Sequence, residues 1–376
     1  MKKKSFSDIL SDISEAGAAQ MRRKVPEWAD VPGMEFPSHL STEQCSSSST
    51  AEYKAALVQG ISPECGLLAD LTGGLGVDSF FFSRVCGHVL YNEMDRELAA
   101  TVERNFARLG VSNVSFSCVE VTPESLPGLV ADGPDVIFLD PARRSGTGRK
   151  VFLLEDCSPD LPALRDGLLA AAPDVLAKLS PMADISMVCR RLGETVREVH
   201  VVGSGGECKE LLVWMQRGWS DGYTIVAEGL RFTAQEEGAA QPRLLPGRPA
   251  PAGVLFEPSA TFMKAGCFNL LCDKLGLSKF GRFTHLYYSE SPDDTLKAYG
   301  KLFSIKEILP FDGRSIKALG KSLPLCSVTA RNLPVSSDAL AKRMGVTPGG
   351  DAHVFAFTAD YSGAPSERLM AVTERI

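Results

Sequence analysis

Acidic residues close successive apolar runs in the first half of this chain, at Asp70, Glu93, Glu120 and Asp140. Thr72-Gly73-Gly74-Leu75-Gly76-Val77-Asp78 lies between the first two, and Pro141-Ala142-Arg143-Arg144 follows the last. A carboxylate at the end of a buried run can accept hydrogen bonds from a ligand's hydroxyls or amines. Glycines let the backbone pass close to that ligand, where a Cβ would clash. Glu93 stands 23 residues after Asp70, a spacing at which a strand-end carboxylate can meet ribose hydroxyls. A further apolar run ends in Lys178-Leu179-Ser180-Pro181.

These residues need strand ends to hold them. Candidate strands are Leu67–Leu71, Val89–Asn92, Val114–Val119, Val136–Leu139 and Val175–Leu179. Between the second and third, Leu98, Val102, Phe106 and Leu109 share one helical face, and Gly110 closes the helix. Strand, glycine turn, helix, strand and acid in series build the nucleoside crevice of an open parallel sheet. The same run also suits a bare strand–turn–helix corner that binds nothing. A pyrophosphate on the helix start would be repelled by Asp70, whereas an ammonium and a sulfonium suit it. The pattern therefore favours S-adenosylmethionine over a dinucleotide. Its expected contacts are Asp70, Thr72, Gly73, Gly74, Gly76 and Asp78, with Glu93 on the ribose and Glu120 near the adenine. Glu120 also fits a solvated surface position.

The acceptor side is expected at Asp140, Pro141, Arg143 and Ser180. Methyl transfer from a sulfonium needs placement in line more than acid or base chemistry. A carboxylate at Asp140 can orient an acceptor N–H and stabilise developing charge. Arg143 and Arg144 suit phosphate or carboxylate recognition, or a structural pair behind the strand. Past the fifth strand, Val199–Val202 and Leu211–Met215 flank Gly203-Ser204-Gly205-Gly206 and read as an antiparallel hairpin. A simple dinucleotide fold would add a parallel strand there instead.

Composition bounds the rest. The 376 residues predict two or three domains. A net charge of −6 gives no global basic character, so any RNA contact must be local. From Lys297 to Arg343, nine basic residues stand against three acidic ones. Lys297, Lys301, Lys306, Arg314, Lys317 and Lys321 are candidate phosphate contacts, with Tyr287, Tyr288, Phe303 and Phe311 nearby. An ordinary solvated face is the alternative. Met1-Lys2-Lys3-Lys4 is followed by Ser5, Ser7 and Asp8, not by an apolar core, so no signal peptide is expected. No run approaches the roughly 18 apolar residues of a membrane span. The ten cysteines form no C-x-x-C pair and the five histidines are scattered. Reduced thiols in a cytoplasmic protein without a metal site are expected. Residues 1–60 read as helix, irregular segment, helix. Ser46–Thr50 is either a cap for the helix that follows or a loop over the crevice. Residues 235–252 read as a Pro/Gly/Ala linker.

Taken together, Glu43-Gln44-Cys45-Ser46-Ser47, Asp70–Asp78, Asp140-Pro141-Ala142-Arg143-Arg144, Lys178-Leu179-Ser180-Pro181, Glu207-Cys208-Lys209-Glu210-Leu211-Leu212 and Ala265-Gly266 resemble the THUMP-like class I S-adenosylmethionine-dependent methyltransferases. The resemblance covers nearly the whole chain. It implies an α/β fold: a helical segment over 1–60 and a seven-stranded methyltransferase sheet with a terminal antiparallel hairpin over 61–234. It also implies a ferredoxin-like unit over 253–300 and a THUMP-like module over 301–376, hence by analogy an rRNA or tRNA substrate. The Asp70–Asp78 stretch is similar to rRNA guanine-N2 methyltransferases, and Asp140–Arg143 to RNA uracil-5-methyltransferases. The latter need a cysteine near the end of the fifth strand, where this chain has Ser180-Pro181, and Cys157 is poorly placed. The Asn-Pro-Pro-Tyr signature of many amino-methyltransferases is also missing. A nitrogen of an RNA base is the expected acceptor. A non-catalytic RNA-binding protein and a small-molecule methyltransferase are the alternatives.

Overall fold

The computed structural model describes residues 17–37, 39–143, 154–249 and 251–376. Residues 1–16, where the first of the helices expected over 1–60 begins, and Arg144 lie outside these residues. The chain forms two compact units, residues through Gly205 with Lys209–Thr224, and Gly206–Cys208 with Ile225–Ile376.

In the first unit, α1 (Ser48–Ile61) leads into β1 (Leu67–Asp70), α2 (Val77–Phe82), β2 (His88–Asn92), α3 (Arg96–Arg108) and β3 (Val114–Ser117). Then follow β4 (Val136–Leu139), β5 (Asp174–Leu179) and the hairpin β6 (Val196–Ser204) and β7 (Glu207–Gln216). β1 pairs in parallel with both β2 and β4, β3 flanks β2, and β5 flanks β4. Successive strands therefore run outward in opposite directions from the β1–β4 junction, which opens a crevice at their C-terminal ends. β7 pairs antiparallel with β5, as the hairpin reading required. The seven expected strands run in the order β6-β7-β5-β4-β1-β2-β3, and the sheet counts nine in all. The two further strands are β8 (Thr224–Ala227) and β9 (Leu230–Phe232), too short to stand out from a loop, and their residues from Ile225 on fall in the second compact unit.

Local chemistry explains the elements around the crevice. Ser47 caps α1, and its hydroxyl and that of Thr50 form a capping box. Asp95 caps α3 by accepting from Glu97 and Leu98 N–H. Val102 and Phe106 are buried, each contributing about 1.5–3 kcal/mol by leaving water. Both side chains lie directly beneath Gly76, whose φ is +81°. A Cβ there would meet Val102 at 2.7 Å, so close packing and left-handed backbone both demand glycine.

The second unit is built on β10 (Val254–Pro258), β11 (Ser278–Lys279), β12 (Tyr287–Ser289), β13 (Gly300–Pro310), β14 (Ser327–Arg331), β15 (Ala352–Ala359) and β16 (Glu367–Arg375). They form one seven-stranded sheet, β11-β12-β10-β13-β16-β15-β14. β13 pairs with β10 on one side and β16 on the other, so the two small units expected over 253–300 and 301–376 share a sheet. The expected linker is not featureless. Ala234–Ala239 is helical, Leu244 bridges Lys279, and Leu245 is buried among the aromatic residues of this unit. Among the described residues no helix is long and apolar enough to cross a membrane, and no group of three His, Cys, Asp or Glu could hold a metal.

Candidate active site

A cavity of about 270 Å³ opens at the β1–β4 junction. The turn after β1 forms its floor. Gly73 N–H donates to Asn92 O at 2.7 Å, and a Cβ on Gly73 would strike the buried Tyr91 ring at 2.1 Å. Thr72 Oγ1 accepts from Asp140 N–H at 2.6 Å, which ties the glycine turn to the end of β4. Asn92 is buried, and its side chain bonds Leu71 O and both N–H and O of Val119. One amide thus knits three strand ends that line the cavity. Asn92 ends a candidate strand in the sequence, and its place just before Glu93 is the only sequence signal of this role.

At one end of the cavity stand Gly73, Gly74, Glu93, Met94, Leu98, Val119, Glu120 and Val121. Glu93 accepts from Gly74 N–H at 3.0 Å and from Asp95 N–H at 2.9 Å. Its carboxylate is therefore fixed at the rim, with lone pairs left for a diol. The apolar side chains of Met94, Leu98, Val119 and Val121 offer flat surface for an aromatic ring, and Glu120 an acceptor beside it. This donor set fits the nucleoside of S-adenosylmethionine.

Not every expected contact faces the cavity. Asp70 is wholly buried beneath the turn, accepting from Thr72 N–H at 3.2 Å and from the Ser79 hydroxyl. Burial pushes its carboxyl up to about 7, against the lowering effect of the Ser79 bond. Asp70 thus holds the turn's shape instead of meeting a ligand cation, because its side chain points under the glycines. Gly76 likewise serves packing and lies off the lining. Asp78 lines the cavity but is already engaged, ion-paired with Lys54 at 3.1 Å and bonded to Ser46 at 2.8 Å.

The other end is formed by Ser41, Gln44, Cys45, Ser46, Asp140, Ala142, Ser158, Pro159 and Lys178. Lys178 Nζ donates to Asp140 Oδ2. Burial lowers the Lys178 pKa, but Asp140, Asp78 and Glu210 outweigh it and raise the pKa above its ordinary value. Pro141 and Ser180 are not on the lining. Ser180 Oγ instead accepts from Met182 N–H and shapes the turn after β5. Arg143 lies in a two-residue strand opposite Cys157.

Behind this end runs a buried ionic cluster that the sequence did not disclose. Lys54 on α1 has no exposed surface and meets Glu210 on β7 at 2.8 Å, Asp78 at 3.1 Å and Ser46 at 2.9 Å. It explains why the Glu43–Ser47 and Glu207–Leu212 motifs accompany the glycine turn. Ser46 and Glu210 are partners of the same ammonium. The one available signal was that Lys54 falls on the buried face of α1 with Thr50, Ala51, Ala55 and Val58. Ser46–Thr50 is both a cap, through Ser47, and a cavity wall, through Ser46.

The six basic candidates of the second unit are not one surface of free cations. Lys297 is paired with Asp294 at 2.8 Å and Lys306 with Glu374 at 2.9 Å. Lys301 is exposed on β13. Arg314, Lys317 and Lys321 lie on the helix Gly313–Ser322, exposed opposite the buried Ile316 and Leu319. Tyr287 and Phe303 are core residues, not stacking platforms.

Comparison with known proteins follows this anatomy. A ferredoxin-like domain model matches residues 255–295, and a THUMP-like domain model residues 300–375. The crystal structure of a candidate methyltransferase from Porphyromonas gingivalis W83 is 31% identical. It spans 95% of this chain and 88% of its own, with a TM-score of 0.81. An rRNA methylase from Streptococcus thermophilus is 12% identical over 45% of this chain and 95% of its own, with a TM-score of 0.33. A methyltransferase from Geobacter sulfurreducens is 19% identical over 45% of this chain and 78% of its own, with a TM-score of 0.32. No curated protein sequence matches the chain.

Proposed function

The chain belongs to the family of THUMP-like class I methyltransferases, and from that premise we propose that it transfers a methyl group from S-adenosylmethionine to a nitrogen of an RNA base. The observation that carries this reading is a single cavity with two chemically different ends. The Gly73–Gly74 turn, Glu93, Glu120 and the apolar wall of Met94, Leu98, Val119 and Val121 suit an adenosyl group. Asp140 and Lys178, at the adjacent strand ends, suit a polar heterocycle. When bound, the sulfonium supplies an already activated methyl group, so the chain's own task is to align the acceptor and exclude water. The bond from Asp140 N–H to Thr72 couples the two ends, fixing the acceptor-side carboxylate relative to the donor-side turn.

The RNA part of the proposal is supported by the THUMP-like match and by the exposed Arg314–Lys317–Lys321 face. Two experiments test it in order. Calorimetric titration with S-adenosylhomocysteine should give saturable heat, and a folded sample with no heat at millimolar ligand refutes the cofactor assignment. Incubation with labelled cofactor and RNA, followed by nucleoside mass spectrometry, should then find label on a base nitrogen. Label in 5-methyluridine would refute the nitrogen assignment while keeping the methyltransferase.

A further inference from the structure

The Asp140–Lys178 pair restricts which kind of nitrogen this cavity can serve. Leu139 and Ala177 are register partners on β4 and β5, so the next residues, Asp140 and Lys178, emerge side by side. The Lys178 side chain is 14% exposed and that of Asp140 37%, and both line the cavity. Among the described residues, Lys178 Nζ donates to Asp140 alone, which leaves two of its three N–H donors for a ligand.

The groups that act on this ammonium come from every neighbouring element. Asp140 follows β4, Asp78 begins α2 and Glu210 lies on β7, and together they keep it charged against the opposing effect of burial. Lys24, from the helix ending at residue 24, acts on it with like charge. Its own ammonium is held by the carbonyls of Glu43 and Cys45. Burial raises the pKa of the Cys45 thiol, so it adds no negative charge at neutral pH. The acceptor end is thus a fixed cation beside the Asp140 carboxylate, with the less exposed Asp78 carboxylate already paired to Lys54.

A neutral exocyclic amine that attacks a sulfonium methyl becomes cationic in the transition state. The ammonium of Lys178, paired with Asp140, offsets the stabilisation that this carboxylate alone would give such a cation. A ring N–H flanked by a carbonyl behaves oppositely. As its proton leaves, negative charge spreads onto the carbonyl oxygen, where a preorganised N–H donor stabilises the transition state more than the ground state.

Resting on the base-nitrogen reading above, we propose that the acceptor is a lactam ring N–H, as in guanine or uracil, with Lys178 donating to the lactam oxygen and Asp140 receiving the ring proton. In the balanced step the N–H proton passes to the Asp140 carboxylate. The ring nitrogen's electron pair forms the N–CH₃ bond, and the pair of the broken S–CH₃ bond stays on sulfur. The sulfonium's positive charge and the carboxylate's negative charge disappear together. Asp140 then releases its proton to water.

The test uses the full-length protein and RNA from cells lacking it. Label in 1-methylguanosine, 1-methylinosine or 3-methyluridine is expected. Label only in N2-methylguanosine, N6-methyladenosine or N4-methylcytidine overturns the lactam assignment and leaves the base-nitrogen reading standing. An absence of label from RNA overturns both. A second arm reads Lys178 directly. Lys178→Met should lower kcat by about 100-fold, the usual loss when one oxyanion donor is removed. It should also move the alkaline rise of the pH–rate profile to higher pH, while calorimetric affinity for S-adenosylhomocysteine stays within about twofold. Lys178→Arg keeps the cation and should keep the profile's position. A Lys178→Met variant with the parent's pH profile and rate removes Lys178 from the acceptor and overturns the proposal.

Discussion

At the scale of single residues, the site depends on charges hidden from solvent. Lys54 is the shared partner of Asp78 and Glu210, and its truncation leaves the buried Glu210 carboxylate and the partly buried Asp78 carboxylate without their common cation. Lys54→Met should therefore cost about 3–5 kcal/mol, the range for breaking a buried pair from one side. The double variant Lys54→Met/Glu210→Leu should recover part of that loss. Urea unfolding measures both, and a loss below about 1 kcal/mol in the single variant would show the cluster to be unimportant for stability. Asp70 gives a pH signature of its own. Its folded-state pKa is raised to about 7 by burial, so the folded state holds a proton that the unfolded chain releases near pH 4. The stability this contributes is complete below about pH 4 and is lost as pH rises toward 7. Asp70→Asn keeps the hydrogen-bonding shape without the titration. The stability difference between parent and variant should slope by up to about 1.4 kcal/mol per pH unit across that window. A flat difference between pH 4 and pH 7 would mean Asp70 is ionised in the folded protein. Sequence could present Asp70 and Glu93 as candidates because both end apolar runs. It could not say that Asp70 points beneath the turn and Glu93 above it, nor that Lys54 would find Glu210, 156 residues away.

At the scale of elements, local signals were strong wherever periodicity and caps coincide. The α3 stripe of Leu98, Val102 and Phe106, with Asp95 before it and Gly110 after, appears in the structure as a helix capped at that aspartate. The glycine turn was legible for the same reason, since few turns need so many residues without a side chain. Gly73→Ala tests that need. Its Cβ would overlap a Tyr91 ring that is fully buried and bonded through its hydroxyl to Gly74 O. The variant should lose S-adenosylhomocysteine binding in calorimetry, and retention of parental affinity would show the turn to be more yielding than its packing implies. The basic stretch was only half legible, because pairing with Asp294 and Glu374 depends on folding. The helix Gly313–Ser322 keeps Arg314, Lys317 and Lys321 on one exposed face. Replacing all three with Gln should weaken RNA binding and flatten its salt dependence by about one unit of slope for every phosphate left without its cation. Cofactor affinity should not change, since every residue lining the cavity belongs to the other unit. Unaltered RNA affinity and slope would make this face ordinary solvated surface.

At the scale of the molecule, each unit carries its own core, one around Trp28, Phe80, Phe106 and Phe138, the other around Phe280, Phe303, Phe355 and Phe357. S-adenosylhomocysteine at about 100 times its Kd adds about 2.7 kcal/mol to whatever unfolds with its site. Differential scanning calorimetry should show that gain as an upward shift of the transition in which the cavity unfolds. An unshifted scan at saturating ligand would contradict binding in the cavity. The alternation of strand and helix made the first unit readable from its sequence, because parallel neighbours are joined by predictable crossovers. The second was not readable in that way, since nothing local tells β13 that it will lie between β10 and β16. That strand has a practical consequence for anyone dissecting the protein. Cleavage between residues 299 and 300 would follow the boundary between the two matched domain models. It would also unzip the β10–β13 ladder and leave each fragment with a raw sheet margin of unpaired N–H and C=O groups. Such margins seek any available strand, so the severed pieces should precipitate or pair with themselves, and the matched segments behave as one inheritance that cannot be divided at its seam.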